Sequence, residues 1–196
     1  MSPRVAIPVC RKPRGPMATE DREHEVSFCA EVKSWADALF AQHPDWPFAG
    51  ADIEKYGKGS NKRQDLRILD REHHTPILTG EVKMPGTAEG RSPYDPALMQ
   101  DAFLKAKNIQ SPYFFTWNVN TFVIFDSSKW NVAIHEMRVK DWDLKLGLTH
   151  SGDCLRPEVQ AAIRDRFLPE FFAWFARIVC GTLVDWGMAQ IGRAHV

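Results

Sequence analysis

The chain has 196 residues, of which 44% are hydrophobic and 26% are charged, proportions typical of one soluble globular domain. Lysine plus arginine and aspartate plus glutamate both number 25, so the chain lacks the net positive charge of a protein that coats nucleic acid. Any contact with nucleic acid therefore requires a local basic patch or a second domain.

Membrane and disulfide signals are absent from the sequence. The most apolar stretch, residues 167–184, is interrupted by Glu170 and Arg177, which indicates a buried helix rather than a membrane span. No C-x-x-C pair is present, so we expect free thiols and a cytoplasmic location. The four cysteines are Cys10, Cys29, Cys154 and Cys180.

Both terminal segments are expected to lie outside the folded domain. Residues 1–18 hold four prolines and show no hydrophobic periodicity, which predicts disorder; either Met1 or Met17 is the true start. Residues 191–196 (IGRAHV) read as the translation of a common sequencing adapter. We therefore expect these six residues to be an artefact and the natural chain to continue past Gln190.

Hydrophobic periodicity predicts the elements in chain order. Residues 19–42 place apolar side chains at helical spacing, and two X-Pro pairs follow. Residues 48–56 predict a strand, and residues 57–63 a Gly- and Lys-rich loop. Residues 65–70 and 76–84 then predict an antiparallel hairpin. After a loop at 84–96, the remaining elements are a helix at 97–109, strands at 113–119, 121–125 and 131–139, and a helix at 156–186 interrupted near Pro169.

The hairpin brings two carboxylates together. A turn centred on His73 pairs residues at equal distances from it, so Asp65 opposes Glu81. Lys83 points the same way as Glu81 because side chains alternate along a strand. Directly opposed Cβ atoms lie about 5 Å apart, which suits two carboxylates that share one Mg²⁺ ion. We expect the backbone carbonyl of Val82 to be a further ligand, and Lys83 to hold the attacking water or to offset charge in the transition state.

Four strings within residues 19–126 resemble the PD-(D/E)XK nuclease superfamily. They are RQDLRILD (63–70), LTGEVKMPG (78–86), LMQDAFLKA (98–106) and PYFFTWNVNTFVIFD (112–126). The nearest likeness is to the N-terminal nuclease domains of type I restriction motor subunits and of fused nuclease-methyltransferases. One departure from the family pattern is Gln64, which replaces the proline that usually precedes the first acid.

The resemblance implies an α/β, restriction-endonuclease-like fold: a mixed sheet flanked by helices, with a C-terminal helical extension. It implies Mg²⁺-dependent cleavage of double-stranded DNA, with Mn²⁺ as a substitute ion, in restriction-modification or phage defence. Residues 19–140 would form the nuclease core. Residues 141–190, which are richer in aromatic side chains than a small domain needs, would contact methyltransferase, motor or specificity parts outside this chain.

Supporting residues follow from the same resemblance. An acid on the first helix is expected near the metal, with Glu25 favoured over Glu31. Gln100 on the second helix is expected near the phosphate or near Lys83. A basic cluster beside the hairpin predicts contacts with the DNA backbone. Its members are Lys58, Lys62, Arg63 and Arg67. Two alternatives stay open: an inactive nuclease-fold module that binds DNA or supports a larger enzyme, and a repair nuclease for branched DNA.

Overall fold

The computed structural model of the protein describes residues 19–53 and 66–182. The first helix, α1, spans Thr19–Gln42, the predicted range. Its buried side chains recur every three or four residues, so one face packs inward. They are Glu25, Phe28, Cys29, Val32, Ala36 and Phe40.

Within the described residues, six strands form one sheet in the order β1-β2-β3-β4-β5-β6. β3 and β4 pair in parallel, and the other neighbouring pairs are antiparallel. The parallel pair needs a crossover, which helix α2 (Pro96–Asn108) provides. The mixed α/β sheet expected from the sequence is therefore confirmed. The strands are β1 (Phe48–Ile53), β2 (Leu66–Asp70), β3 (Pro76–Val82), β4 (Tyr113–Trp117), β5 (Thr121–Asp126) and β6 (Arg138–Asp143).

Helices cover both faces of the sheet. α1 and the C-terminal helices share one cluster with Val82 and Trp117. α2 covers the opposite face, where Ala102 and Ala106 pack with Phe114. Alternate residues of β3 therefore point into different layers. Thr79 and Glu81 face α2, and so does Lys83, which directly follows the strand and contacts Glu81. None of the helices in the described parts of the chain is long and apolar enough to cross a membrane.

The C-terminal helical region is interrupted close to the predicted position. α3 (Pro157–Ala162) continues through a π-helical turn, Ile163–Phe167, into α4 (Leu168–Val179). Pro169 has no N–H to donate, and the N–H of Leu168 donates to the carbonyl of Ile163, five residues back. α4 ends before Gly181, which adopts φ 66°, a left-handed conformation that commonly terminates helices. The predicted helix end at residue 186 was thus too late.

The phenylalanines of α4, Phe171, Phe172 and Phe175, are buried in the core of this chain, and Trp174 is partly buried against it. Phe172 packs edge-on against Phe40, with ring centroids 4.7 Å apart. Phe171 lies 4.7 Å from the ring of Phe122 on β5. The sheet and α1 therefore already cover these phenylalanines, and contact of this region with parts outside the chain stays a prediction.

The strand predicted at residues 131–139 was also wrong. A 3₁₀ helix occupies Ile134–Met137, and β6 begins only at Arg138. The carboxylate of Glu136 accepts a hydrogen bond from the N–H of Ala133 at 3.1 Å, which closes a local turn. A side chain that bonds its own nearby backbone competes with strand pairing.

The turn between β2 and β3 is organised by one carboxylate. Asp70 accepts hydrogen bonds from the N–H groups of Glu72, His73 and Thr75 and from the Thr75 hydroxyl, at 2.7 to 3.1 Å. The His73 N–H and the Thr75 hydroxyl are the main causes of a pKa for Asp70 well below its usual range. This turn sets the register of the hairpin.

Asp70→Asn is expected to lower the free energy of unfolding at neutral pH by about 1–3 kcal/mol, since hydrogen bonds to a charged acceptor are lost. The folded state lowers the pKa of Asp70, so this stabilisation is present above the ordinary pKa of 3.8. It is lost as the pH falls toward the lowered value. Urea unfolding across this pH range should therefore show the two proteins converging in acid. Glu72→Gln, on the same turn, is the control and should leave stability unchanged.

Candidate active site

The β2–β3 hairpin has the predicted register. The described pairs are Leu66 with Gly80, Arg67 with Thr79 and Ile68 with Leu78. One further step in this register would set Asp65 opposite Glu81, but Asp65 lies outside the described residues. The same holds for three of the predicted DNA contacts, Lys58, Lys62 and Arg63.

Glu81 and Lys83 form a buried ion pair on the α2 side of β3. Glu81 is 3% exposed and Lys83 is 1% exposed. The Nζ atom of Lys83 donates to Oε2 of Glu81 at 2.8 Å. The ammonium of Lys105, from α2, donates to the other oxygen, Oε1. Each oxygen of the Glu81 carboxylate therefore accepts a hydrogen bond from a different lysine.

The two lysines keep Glu81 ionised. Burial alone disfavours the charged carboxylate and raises its pKa. The positive charges of Lys83 and Lys105 outweigh burial and lower the pKa of Glu81 from 4.5 to about 2. Glu81 is thus an anion at neutral pH, the form that a metal ion requires.

A second carboxylate, Glu89, lies beside Lys83. Its Oε2 atom is 4.0 Å from the Lys83 Nζ atom. The loop that carries Glu89 is tied to the ends of the strands: Thr116 donates to the Pro93 carbonyl at 2.7 Å, and Asn118 donates to the Gly90 carbonyl at 3.1 Å. The sequence analysis missed Glu89 because a loop has no periodicity that assigns a side chain to a face.

The first-helix acid favoured from the sequence, Glu25, is buried at 4% exposure, whereas Glu31 is exposed. The neighbouring His24 contacts the Ser151 hydroxyl at 2.8 Å. The segment just before Ser151 lies against Gly86, where an added Cβ atom would be 2.5 Å from the Thr149 carbonyl oxygen. α1, which carries Glu25, packs on the face of the sheet opposite α2, so a position of Glu25 beside Glu81 stays a prediction.

Two other predicted residues are described. Gln100 lies on the exposed side of α2, and the α2 side chain that contacts Glu81 is Lys105. The sequence does indicate the face of α2 on which Lys105 lies, because Lys105 follows buried Leu98 by seven residues, which is two helical turns. Arg67 is half-buried and pairs with Thr79, so it faces the same side of the sheet as Glu81.

The oxygen donors at this position suit magnesium in kind. The Glu81 carboxylate and the backbone carbonyl of Val82, the last residue of β3, are hard ligands of the type that Mg²⁺ takes, usually with one or two carboxylates and several waters. Within residues 19–53 and 66–182, no three His, Cys, Asp or Glu side chains are grouped to hold a metal ion. A site centred on Glu81 therefore requires a second carboxylate, the role predicted for Asp65.

Comparisons of the chain with family models, with curated proteins and with solved structures found no match. The resemblance to PD-(D/E)XK nucleases accordingly remains an expectation from the sequence, and the function has to be argued from the site.

Proposed function

We propose that the protein is a magnesium-dependent endodeoxyribonuclease that cleaves double-stranded DNA. The observation that carries the proposal is the buried Glu81–Lys83 pair. It lies beside β2, whose register, extended by one residue, would set Asp65 opposite Glu81. Replacing a buried ion pair with apolar residues is often neutral or stabilising. Two charged side chains inside this sheet are therefore not explained by stability alone, which favours a catalytic role.

The proposed roles follow from position. Glu81 and Asp65, with the Val82 carbonyl, would hold Mg²⁺, with Mn²⁺ as a substitute. The bound ion supplies Lewis-acid activation of the phosphate and lowers the pKa of a water molecule. Lys83, held in place by Glu81, donates a hydrogen bond to the attacking water or to the phosphate oxygens as negative charge develops. Arg67 and the predicted basic cluster, Lys58, Lys62 and Arg63, neutralise the DNA backbone.

The biological setting is proposed from the resemblance. A nuclease of this kind would serve restriction-modification or phage defence in the cytoplasm. Its partners would be methyltransferase, motor or specificity domains or subunits that this chain does not contain. Glu25 would complete the site as the acid from α1.

A second candidate is a nuclease-fold module without catalysis, which binds DNA or supports a larger enzyme. One observation favours it: both oxygens of Glu81 are already paired, with Lys83 and with Lys105. A buried carboxylate whose two oxygens each accept a hydrogen bond from a lysine is also a structural arrangement.

Incubation of the full chain with supercoiled plasmid and Mg²⁺ tests the proposal. The wild-type protein should nick the plasmid, and Glu81→Gln and Lys83→Met should each reduce the rate by about 10²-fold or more, as loss of a group that acts in the transition state does. Glu158→Gln makes the same charge change on the exposed surface and should cut normally.

Two results would contradict the nuclease assignment. Equal nicking by all four proteins would place the activity elsewhere, including in a contaminant. DNA binding in a gel-shift assay without cleavage in either Mg²⁺ or Mn²⁺ would support the inactive module instead.

A further inference from the structure

The two lysines that contact Glu81 differ in how firmly they are held. The side chain of Lys83 is 1% exposed, whereas that of Lys105 is 28% exposed. The backbone of Lys83 is also fixed, because its N–H donates to the Trp117 carbonyl at 2.8 Å. Lys105 extends from α2 across to the sheet on a flexible four-carbon stem. Lys105 is therefore the partner that can leave Glu81 without disturbing the sheet.

Glu81 and Glu89 carry two negative charges, and Lys83 and Lys105 carry two positive charges, with the contacts that link them at or below 4.0 Å. A divalent cation that approached Oε1 of Glu81 would be repelled by the positively charged Lys105 ammonium, which binds that oxygen. An ammonium group and a metal ion cannot occupy one side of a carboxylate oxygen together.

We propose that Lys105 occupies the metal-binding side of Glu81 in the metal-free protein and is displaced when Mg²⁺ binds. The Lys105–Glu81 ion pair and the metal ion would then exclude each other, so Lys105 sets the affinity of the site for Mg²⁺. The inference rests on the proposed function for the existence of the metal site. It goes beyond that function because it concerns the strength of metal binding rather than cleavage.

Titration of the metal-free full chain with MgCl₂ in a calorimeter tests the exchange directly. Lys105→Met keeps most of the side-chain length and removes the competing charge, so its dissociation constant for Mg²⁺ should fall about tenfold, equivalent to about 1.4 kcal/mol. Lys107→Met removes an exposed lysine two residues along the same helix and should match the wild type. Lys105→Arg keeps the charge and should not bind Mg²⁺ more tightly than the wild type.

The outcomes separate this inference from the nuclease proposal. If Lys105→Met binds Mg²⁺ no more tightly than the wild type, and Mg²⁺-dependent cleavage is intact, the proposed exchange is wrong. The nuclease proposal would still stand. If neither protein binds Mg²⁺ and neither cleaves DNA, both proposals fail. Binding that persists in Glu81→Gln would also overturn the exchange, because the ion would then sit away from the oxygen that Lys105 occupies.

Discussion

Neutralising both Glu81 and Lys83 is expected to destabilise the protein less than neutralising Glu81 alone. Glu81→Gln leaves the ammonium of Lys83, which is 1% exposed, without its nearest anion. Removing one partner of a buried ion pair costs about 3–5 kcal/mol. Lys83→Met should cost less, because Lys105 still pairs with Glu81. In the double variant a neutral amide and a thioether replace the pair, and most of the loss should be recovered.

Urea unfolding of the four proteins gives the coupling energy between the two side chains, expected to be about 2 kcal/mol. The matched control is a second double-mutant cycle, Arg138→Met and Asp141→Asn. It removes an ion pair whose side chains are 52% and 43% exposed. A surface pair of this kind should couple by less than about 1 kcal/mol. A coupling at Glu81 and Lys83 as small as that of the surface pair would show that water screens the cluster, contrary to its burial.

The double variant also separates folding from chemistry. Activity lost in Glu81→Gln alone could reflect unfolding, because that variant is the less stable one. Glu81→Gln/Lys83→Met should instead remain folded and still fail to nick plasmid DNA, since neither the carboxylate nor the ammonium is present. Cleavage by the double variant would remove both residues from the proposed mechanism, whatever its stability.

Local patterns in the sequence are sufficient to predict much of this fold. The range of α1 follows from helical spacing and from the prolines that come after it. The register of the hairpin follows from a turn centred on His73, and the pairing of Leu66 with Gly80 confirms it. Both features depend on residues close together in the chain, where side-chain periodicity and turn chemistry determine the structure.

Contacts between distant segments account for what the sequence analysis missed. Lys105 reaches Glu81 only because α2 packs across β3. Glu89 approaches Lys83 only because Thr116 and Asn118 hold its loop. The loop around Glu89 has no periodic pattern, and the helical spacing of Lys105 gives its face on α2 but not the side chain that it contacts. The position of Asp65, on which the shared metal site depends, stays a prediction from the register.

Gly80→Ala is expected to destabilise the protein by about 3 kcal/mol, since overpacking in a close-packed core forces the backbone to shift. An added Cβ atom would lie 2.3 Å from the carbonyl oxygen of Phe115 and 2.5 Å from its ring. Gly80 and Phe115 are register partners across the parallel β3–β4 pair, so the strain falls on the two central strands. β3 cannot move away from β4 without carrying Glu81 with it.

Gly152→Ala is the matched control, because an added Cβ atom there would meet the His24 ring no closer than 3.5 Å, an ordinary contact. It should change stability by less than about 0.5 kcal/mol. Urea unfolding of both variants measures the difference, and plasmid nicking by the folded fraction of Gly80→Ala should also fall. A Gly80→Ala protein as stable as Gly152→Ala would show that β3 and β4 separate at little cost. The parallel pair would then not be what fixes Glu81 and Lys83 in position.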